Sequence, residues 1–203
     1  MIAAVVLAAG FSSRMGRPKA LLRAGASGGT FLDRIVGTLG AAGLEKMVVV
    51  LGADAPRIRA AIAAAHLPVE IVENPDPMRG QLSSLHAALA ALDGAGVEAM
   101  LVTPVDQPLV TAATVSRLVS AYRETRAPVV RPRRGDRHGH PVIFDRALFE
   151  ELRHADLSRG ARDVIALHRE AVVDVEVEDE GAFVDIDTPE QYERAFGALP
   201  SSK

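Results

Sequence analysis

Short, strongly apolar runs recur along the chain: AAVVLAA from Ala3, MVVVLG from Met47, VEIVEN from Val69, AMLVTPVD from Ala99 and VVDVEV from Val172. Their brevity and their content of β-branched residues predict strands buried on both faces. Between them the apolar period becomes helical. In DAPRIRAAIAAAH, Ile58, Ala61, Ile62 and Ala65 follow the i, i+3, i+4, i+7 rule behind Asp54 as a cap, and Val115, Leu118, Val119 and Tyr122 repeat the spacing. Strands alternating with helices predict right-handed βαβ units, hence a doubly wound α/β fold with a mainly parallel sheet flanked by helices. Residues 128–145, PVVRPRRGDRHGHPVIFD, break the rhythm with a Gly- and Arg-rich connector between two strand-like pieces, and predict a hairpin or insertion on the sheet. Near the end, Thr188 as N-cap, Pro189 at the first helical position and Gln191 two residues later form a capping box that starts a last helix.

Composition narrows the classes. The 203 residues suffice for one domain, 1–203, and no linker or internal repeat divides them; the tail PSSK is polar. With 23 basic and 26 acidic residues the net charge is −3, so no global basic field exists to hold a nucleic acid. Cysteine is absent, which removes disulfides, thiolate metal sites and cysteine nucleophiles. The opening MIAAVVLAAG has no preceding Lys or Arg and no following cleavage site, and no run reaches the length of a membrane span. A cytoplasmic protein without membrane or nucleic-acid partners is expected.

The first strand breaks at Gly10 into a loop that carries Arg14, Arg17 and Lys19, with Gly16 among them. In open α/β sheets ligands sit beyond the carboxyl ends of the strands, where this loop lies. Glycine lets backbone N–H groups approach a phosphate, and Arg14 and Lys19 can neutralise it, so a polyphosphate suits the loop; a solvated basic connector remains the bland alternative. GFSSRMGRPK lacks both the GK[ST] ending of a P-loop and the G-x-G-x-x-G of a dinucleotide site.

LAAGFSSRMGRPKALL resembles the signature L-A-A-G-x-S-x-R-M-G-x-x-K of the MobA-like nucleotidyltransferases. NPDPMRGQLSSLHAAL, TPVDQPLV, RHGHPVIF, SRGARDVI and DIDTPEQY follow in the order of that family, so the resemblance spans nearly the whole chain. It implies a Rossmann-like nucleotidyltransferase fold and Mg2+-dependent transfer of NMP from an NTP to a phosphate acceptor, with release of pyrophosphate. The branch it resembles most contains the molybdenum cofactor cytidylyltransferases, which implies CTP and molybdopterin as substrates and a molybdoenzyme or chaperone as partner. A sugar phosphate or other phosphorylated metabolite is the alternative acceptor; a non-catalytic nucleotide- or cofactor-binding chaperone is the alternative class.

Residue by residue, the resemblance places the nucleotide against Leu7, Ala8, Ala9, Gly10, Arg14, Lys19, Gln81, Ser83 and Ser84. Arg14, Lys19 and Asp106 would carry the catalytic charge, Asp106 and Asp187 the metal, and His140 would meet the acceptor. Mg2+ takes one or two carboxylates plus phosphate and water oxygens, which suits such a pair. Alone, Asp106 reads as a turn former between Pro104 and Pro108, and Asp187 as a charge favoured at a helix N-terminus. Asp185, two residues before Asp187, would share its face of a strand and is the alternative ligand. An attacking phosphate is already anionic near neutral pH, its second pKa being about 6, so no general base is needed. His138 and His140, two apart without companion ligands, read as loop contacts rather than a metal pair. Gln81 offers donors and acceptors to a base, while Ser83 and Ser84 could meet the nucleotide or cap the helix that buries Leu85, Leu89 and Leu92. The G-P-L-A-G of guanylyl-transferring members is absent, which turns the expectation from GTP to CTP. Leu157 and Ser158 stand where a Gly-Asp pair is usual in the branch, TPVDQP lacks the usual Gly before its Asp, and QLSS replaces Met-Ser-Ser. All three departures fall where the acceptor would be shaped.

Overall fold

The computed structural model describes residues 1–12, 14–25, 29–94 and 96–197; the polar tail lies outside them. All five apolar runs are strands: β1 (Ile2–Ala8), β2 (Met47–Leu51), β3 (Glu70–Glu73), β4 (Ala99–Pro104) and, last in the chain, β8 (Val172–Glu176). Strands β1, β2 and β4 are buried along their whole length, whereas β3 and β8 are half-exposed edge strands, because neither has a neighbour on its outer side. The segment 128–145 supplies β5 (Val129–Arg134), β6 (Arg137–His138) and β7 (Val142–Asp145). Its outer part is a hairpin, β5 pairing with β6 across Gly135 and Asp136. Its inner part is integral to the sheet: β7 runs antiparallel between β4 and β5, and β8 pairs parallel with β5. The sheet therefore mixes four parallel strands, in the order β3-β2-β1-β4, with an antiparallel continuation.

The period-two pattern of β1 explains why helices cover both faces. Ile2, Ala4, Val6 and Ala8 pack under α1 (Phe31–Ala41), α2 (Ala55–Ala64) and α4 (Ala112–Thr125), through side chains such as Leu32, Ile58 and Leu118. Ala3, Val5, Leu7 and Ala9 face α3 (Gln81–Ala91), α5 (Phe149–His154) and α6 (Ala161–Leu167), through Leu85, Leu152 and Val164. The predicted faces hold: Ile58 and Ile62 of α2 are buried, as are Val115, Leu118, Val119 and Tyr122 of α4. Asp54 precedes α2 but makes no side-chain cap bond; it turns toward the cavity described below.

A third, smaller cluster ties the last helix to the opening loop. Tyr192 of α7 (Pro189–Phe196) stacks on Phe31, with centroids 6.0 Å apart, and its hydroxyl donates to the Arg23 carbonyl at 2.8 Å. Met15, Leu22 and Ile186 complete the cluster. The capping box of α7 forms as expected, and Gln191 Oε1 also accepts from the Asp187 N–H at 2.7 Å, fixing the residues just before the helix. Strand order reverses between β1 and β4, so a crevice opens beyond their carboxyl ends, where the loops after Ala8 and Pro104 diverge.

Candidate functional site

The loop after β1 is held in shape by Ser12. Its carbonyl accepts from the N–H groups of Met15 and Gly16, and its hydroxyl accepts from the Lys19 N–H at 2.9 Å. Gly16 has φ +65°, a conformation that a β-carbon would strain, and this turn sends Met15 into the Tyr192 cluster. Across β2, Gly52 lets the next loop lie against the first, since a β-carbon there would come within 2.4 Å of the Ala9 carbonyl oxygen.

Lys19 leaves this loop with its side chain only 13% exposed and its ammonium between two carboxylates. Lys19 Nζ donates to Asp106 Oδ2 at 3.0 Å and to Asp187 Oδ1, while Arg14 reaches Asp187 Oδ2 at 3.0 Å from the solvent side. Burial alone would lower the pKa of Lys19, but Asp106 and Asp187 outweigh it and raise the value above that of an ordinary lysine. The hydrogen bond from Lys19, with the charges of Lys19 and Arg14, holds the Asp187 carboxyl below the usual carboxylate range. The pair therefore stays ionised throughout the neutral range. Asp106 and Asp187 come from distant segments, but their backbones are joined, the Ile186 N–H donating to the Asp106 carbonyl at 2.8 Å.

Two cavities flank this cluster. The smaller, about 280 Å³, is lined by Leu7, Ala8, Ala9, Gly10, Lys19, Gln81, Ser84 and Asp106, among others. The larger, about 790 Å³, is lined by His140, Asp185, Gln107, Leu157, Ser158, Arg131, Arg159 and Arg162, among others. They share Leu7, Gly80 and Gln81. Most residues expected at a nucleotide thus converge on one cavity, and His140 opens onto the other. Asp187 reaches the smaller cavity through Lys19.

The serines differ from expectation. Helix α3 begins at Gly80, with φ +90°, and no side chain caps it. Ser83 and Ser84 are buried in its first turn, where Asn74 Nδ2 donates to both hydroxyl oxygens, at 2.8 and 3.0 Å. Ser83 donates in turn to the Gly80 carbonyl at 2.7 Å and does not line the smaller cavity, whereas Ser84 does. Residues 184–187 form no strand, and Asp185 and Asp187 part company: Asp187 meets Lys19, while Asp185 accepts from Gln107 Nε2 at 2.7 Å in the larger cavity. Asn74 and Gln107 are the residues that the sequence reading passed over. Asn74 ends the VEIVEN run, where an amide interrupts apolar residues, and Gln107 is adjacent to Asp106.

Asp106 Oδ2 and Asp187 Oδ1 converge on one point, presently met by an ammonium. Two hard oxygens so disposed fit a hard divalent cation such as Mg2+, which needs only one or two protein carboxylates.

His140 supports a test of the larger cavity. It is half-buried, and desolvation lowers its pKa from 6.5 even though Asp185 and Asp106 favour the imidazolium; Arg162 opposes them. The unfolded chain then takes up a proton near pH 6.5 that the native chain refuses until lower pH, so stability falls as pH drops from 6.5 toward the native value. Urea midpoints at pH 7.0 and 5.5 are expected to fall further for the wild type than for His140→Asn; equal losses would mean that the imidazole is freely solvated.

Residues 4–172 match the family model of the MobA-like NTP transferase domain. The chain belongs to the MobA-like NTP transferase family. It is 33% identical to a molybdenum cofactor guanylyltransferase of Rhizobium meliloti, over 97% of this chain and 91% of that one. It is 34% identical to the nicotine blue oxidoreductase of Paenarthrobacter nicotinovorans, covering 95% of each. A 45% match over 104 residues joins it to a bifunctional IPC transferase and DIPP synthase of Rubrobacter xylanophilus, of whose length it covers 23%. Among solved structures, Rv0371c of Mycobacterium tuberculosis H37Rv superposes with a TM-score of 0.81 at 31% identity, covering 97% of each chain. A complex of Rv0371c with manganese gives 0.75 at 28% identity, covering 97% of this chain and 98% of that one. The fold is thus shared with Rv0371c over 97% of this chain. Molybdenum-cofactor relatives at this level carry a guanylyltransferase name, so likeness alone does not place the chain in a cytidylyl branch. Among the described residues no helix is long and apolar enough to cross a membrane.

Proposed function

We propose that this MobA-like transferase moves CMP from CTP to the terminal phosphate of molybdopterin and releases pyrophosphate. The observation that carries this reading is the junction of the two cavities at Leu7, Gly80 and Gln81, beside the Lys19, Asp106 and Asp187 cluster. The smaller cavity takes the nucleotide. Backbone N–H groups after Ala9 approach its phosphates closely, and Lys19 turns from the carboxylates to the more highly charged triphosphate. The larger cavity takes the acceptor. Its phosphate oxygen attacks the α-phosphorus in line, the bond from that phosphorus to the bridging oxygen of the β-phosphate breaks, and pyrophosphate leaves with the electron pair. Asp106 and Asp187 would hold Mg2+, which when bound neutralises charge that develops between the reacting phosphates. The manganese complex of Rv0371c supports a divalent cation in this fold.

GQLSS in place of G-P-L-A-G supports cytosine over guanine. Another phosphorylated metabolite is the second reading for the acceptor, and a specific observation favours it: Leu157 and Ser158, which depart from the cytidylyl pattern, line the larger cavity. The test is thermal unfolding with Mg2+ and, in turn, CTP, GTP, ATP and UTP. A native-state ligand at a hundredfold excess over Kd stabilises by about 2.7 kcal/mol, so a shift selective for CTP is expected. A shift selective for GTP would move the base assignment to the guanylyl relatives. No shift with any of the four would remove the nucleotide from the smaller cavity and favour a redox role such as the nicotine blue relative's name indicates.

A further inference from the structure

Asp54 stands at the start of α2, where an aspartate ordinarily accepts a hydrogen bond from the second or third N–H of the helix. Its side chain accepts neither. Pro56, at the second position, has no N–H, and the Arg57 N–H at the third donates to the Asp54 carbonyl at 3.1 Å. The cation paired with the carboxylate, Arg57 Nη1, is 3.9 Å away and beyond hydrogen-bond reach, so among the described residues the lone pairs of Asp54 are unclaimed. The side chain is 37% exposed and lines the 280 Å³ cavity.

Strand order shows which end of the cavity this is. Strands β2 and β4 flank β1 on opposite sides, and neighbouring strands lie about 4.8 Å apart, so the loops that follow β2 and β4 begin about 10 Å from one another. Asp106 follows β4 and has Lys19 against it; Asp54 follows β2. Phosphates gathered at Lys19 would be repelled by a second carboxylate, so the part of a nucleotide that reaches Asp54 is its uncharged end. A carboxylate there can only accept hydrogen bonds, and the ligand must bring the donors. Ile58, one turn into α2, and Pro77 give the same cavity apolar surface that suits a flat ring.

We propose that Asp54 reads the exocyclic amino group of the nucleobase, so that the smaller cavity selects an amino-bearing base against its oxo or unsubstituted counterpart. The inference rests on that cavity being the nucleotide site of a transferase. An amino group turns two N–H donors outward, and a carboxylate is a natural partner for the one on cytosine. Uracil offers a carbonyl oxygen at that position, and its ring N–H lies between two such oxygens, which a carboxylate repels. Selection therefore comes from repulsion of the wrong base as well as attraction of the right one. Asp54 determines specificity here and has no part in the bond-making step.

The experiment is calorimetric titration of the full chain, in the presence of Mg2+, with nucleotide pairs that differ in the amino group: CTP against UTP, and ATP and GTP each against ITP. The wild type is expected to bind one amino member about tenfold or more tightly than its counterpart, and the pair that shows this names the base. In Asp54→Asn that ratio should fall to near one, because an amide donates to a carbonyl as readily as it accepts from an amine. In Asp54→Ala it should fall through weaker binding of the amino member alone. Inorganic tripolyphosphate should bind the wild type and both variants equally, which reports on the phosphate end and on the fold together. Asp54 makes no side-chain hydrogen bond within the chain, so neither substitution removes a structural contact of that kind. A ratio kept in both variants would overturn the proposal. Equal weakening of both members of a pair, absent for their 2′,3′-dideoxy forms, would overturn it by giving Asp54 to the ribose hydroxyls. Loss of tripolyphosphate binding with an unchanged urea midpoint would overturn it by placing Asp54 at the phosphates. A wild type that binds every nucleotide alike would overturn it too, while leaving nucleotidyl transfer standing. Failure of the wild type to bind any nucleotide would remove the transfer reading, and this inference with it.

Discussion

Asp106→Ala is expected to slow pyrophosphate release about a thousandfold while leaving a folded protein. A bound metal contributes several kcal/mol of charge stabilisation in phosphoryl and nucleotidyl chemistry, and about 4 kcal/mol corresponds to three decades of rate. Asp106 is placed for that role by backbone and not by its own side chain: the Val105 N–H donates to the Leu7 carbonyl at 3.1 Å, and the Ile186 N–H to the Asp106 carbonyl at 2.8 Å. Removing the carboxylate therefore leaves the loop in position. Lys19 keeps Asp187 as partner, and because the Asp106 side chain is 25% exposed the lost pairing is worth about 1 kcal/mol or less. The two readouts separate the cases. Turnover down with the urea midpoint little changed places Asp106 at the reacting phosphates; turnover retained moves the metal elsewhere; both lost together would make Asp106 a structural residue.

The parallel half of the fold was legible because its signal is local. β1, β2 and β4 are unbroken apolar runs, and the faces of α2 and α4 follow from spacing alone. Residues 128–145 were harder. Arg131, Arg133 and Arg134 interrupt the apolar pattern, so the segment looked peripheral; their charges are answered by Asp174 and Glu176 of β8 and by Glu180 in the turn after it. No local pattern shows that pairing, which accompanies the β5–β8 contact that gives β5 a neighbour on each side. The site divides in the same way. Gly10, Lys19, Asp106 and Asp187 stand in motifs that can be read along the chain. Asn74 and Gln107 matter through what they touch: Asn74 bonds Ser83 and Ser84, and Gln107 reaches Asp185 across 78 residues. The serines divide for this reason: Asn74 donates to both hydroxyl oxygens and no side chain caps the helix after Gly80, while Ser84 still lines the smaller cavity.

Lys19→Met should weaken nucleotide binding about 10- to 100-fold, and it should do the opposite to Mg2+ binding. The first effect follows from losing charge-assisted hydrogen bonds to phosphate, worth about 1.5–3 kcal/mol. The second follows from where the ammonium sits without nucleotide. It touches the same two carboxylate oxygens that a divalent cation would take, so in the wild type metal and Lys19 compete for Asp106 and Asp187. Under the proposed function, nucleotide would relieve the competition by drawing Lys19 to its phosphates, so metal and nucleotide should bind together more tightly than either does alone. Without Lys19 the two carboxylates face each other, their mutual repulsion costs stability, and a divalent cation is the available remedy. Mg2+ alone should therefore raise the melting temperature of Lys19→Met by more than that of the wild type, and the cooperativity between Mg2+ and CTP should shrink in the variant. A merely misfolded variant would lose its response to both ligands. A solvated basic loop, the bland reading of this segment, predicts no change in either, so the paired and opposite responses decide whether the cations behind Gly10 serve a nucleotide.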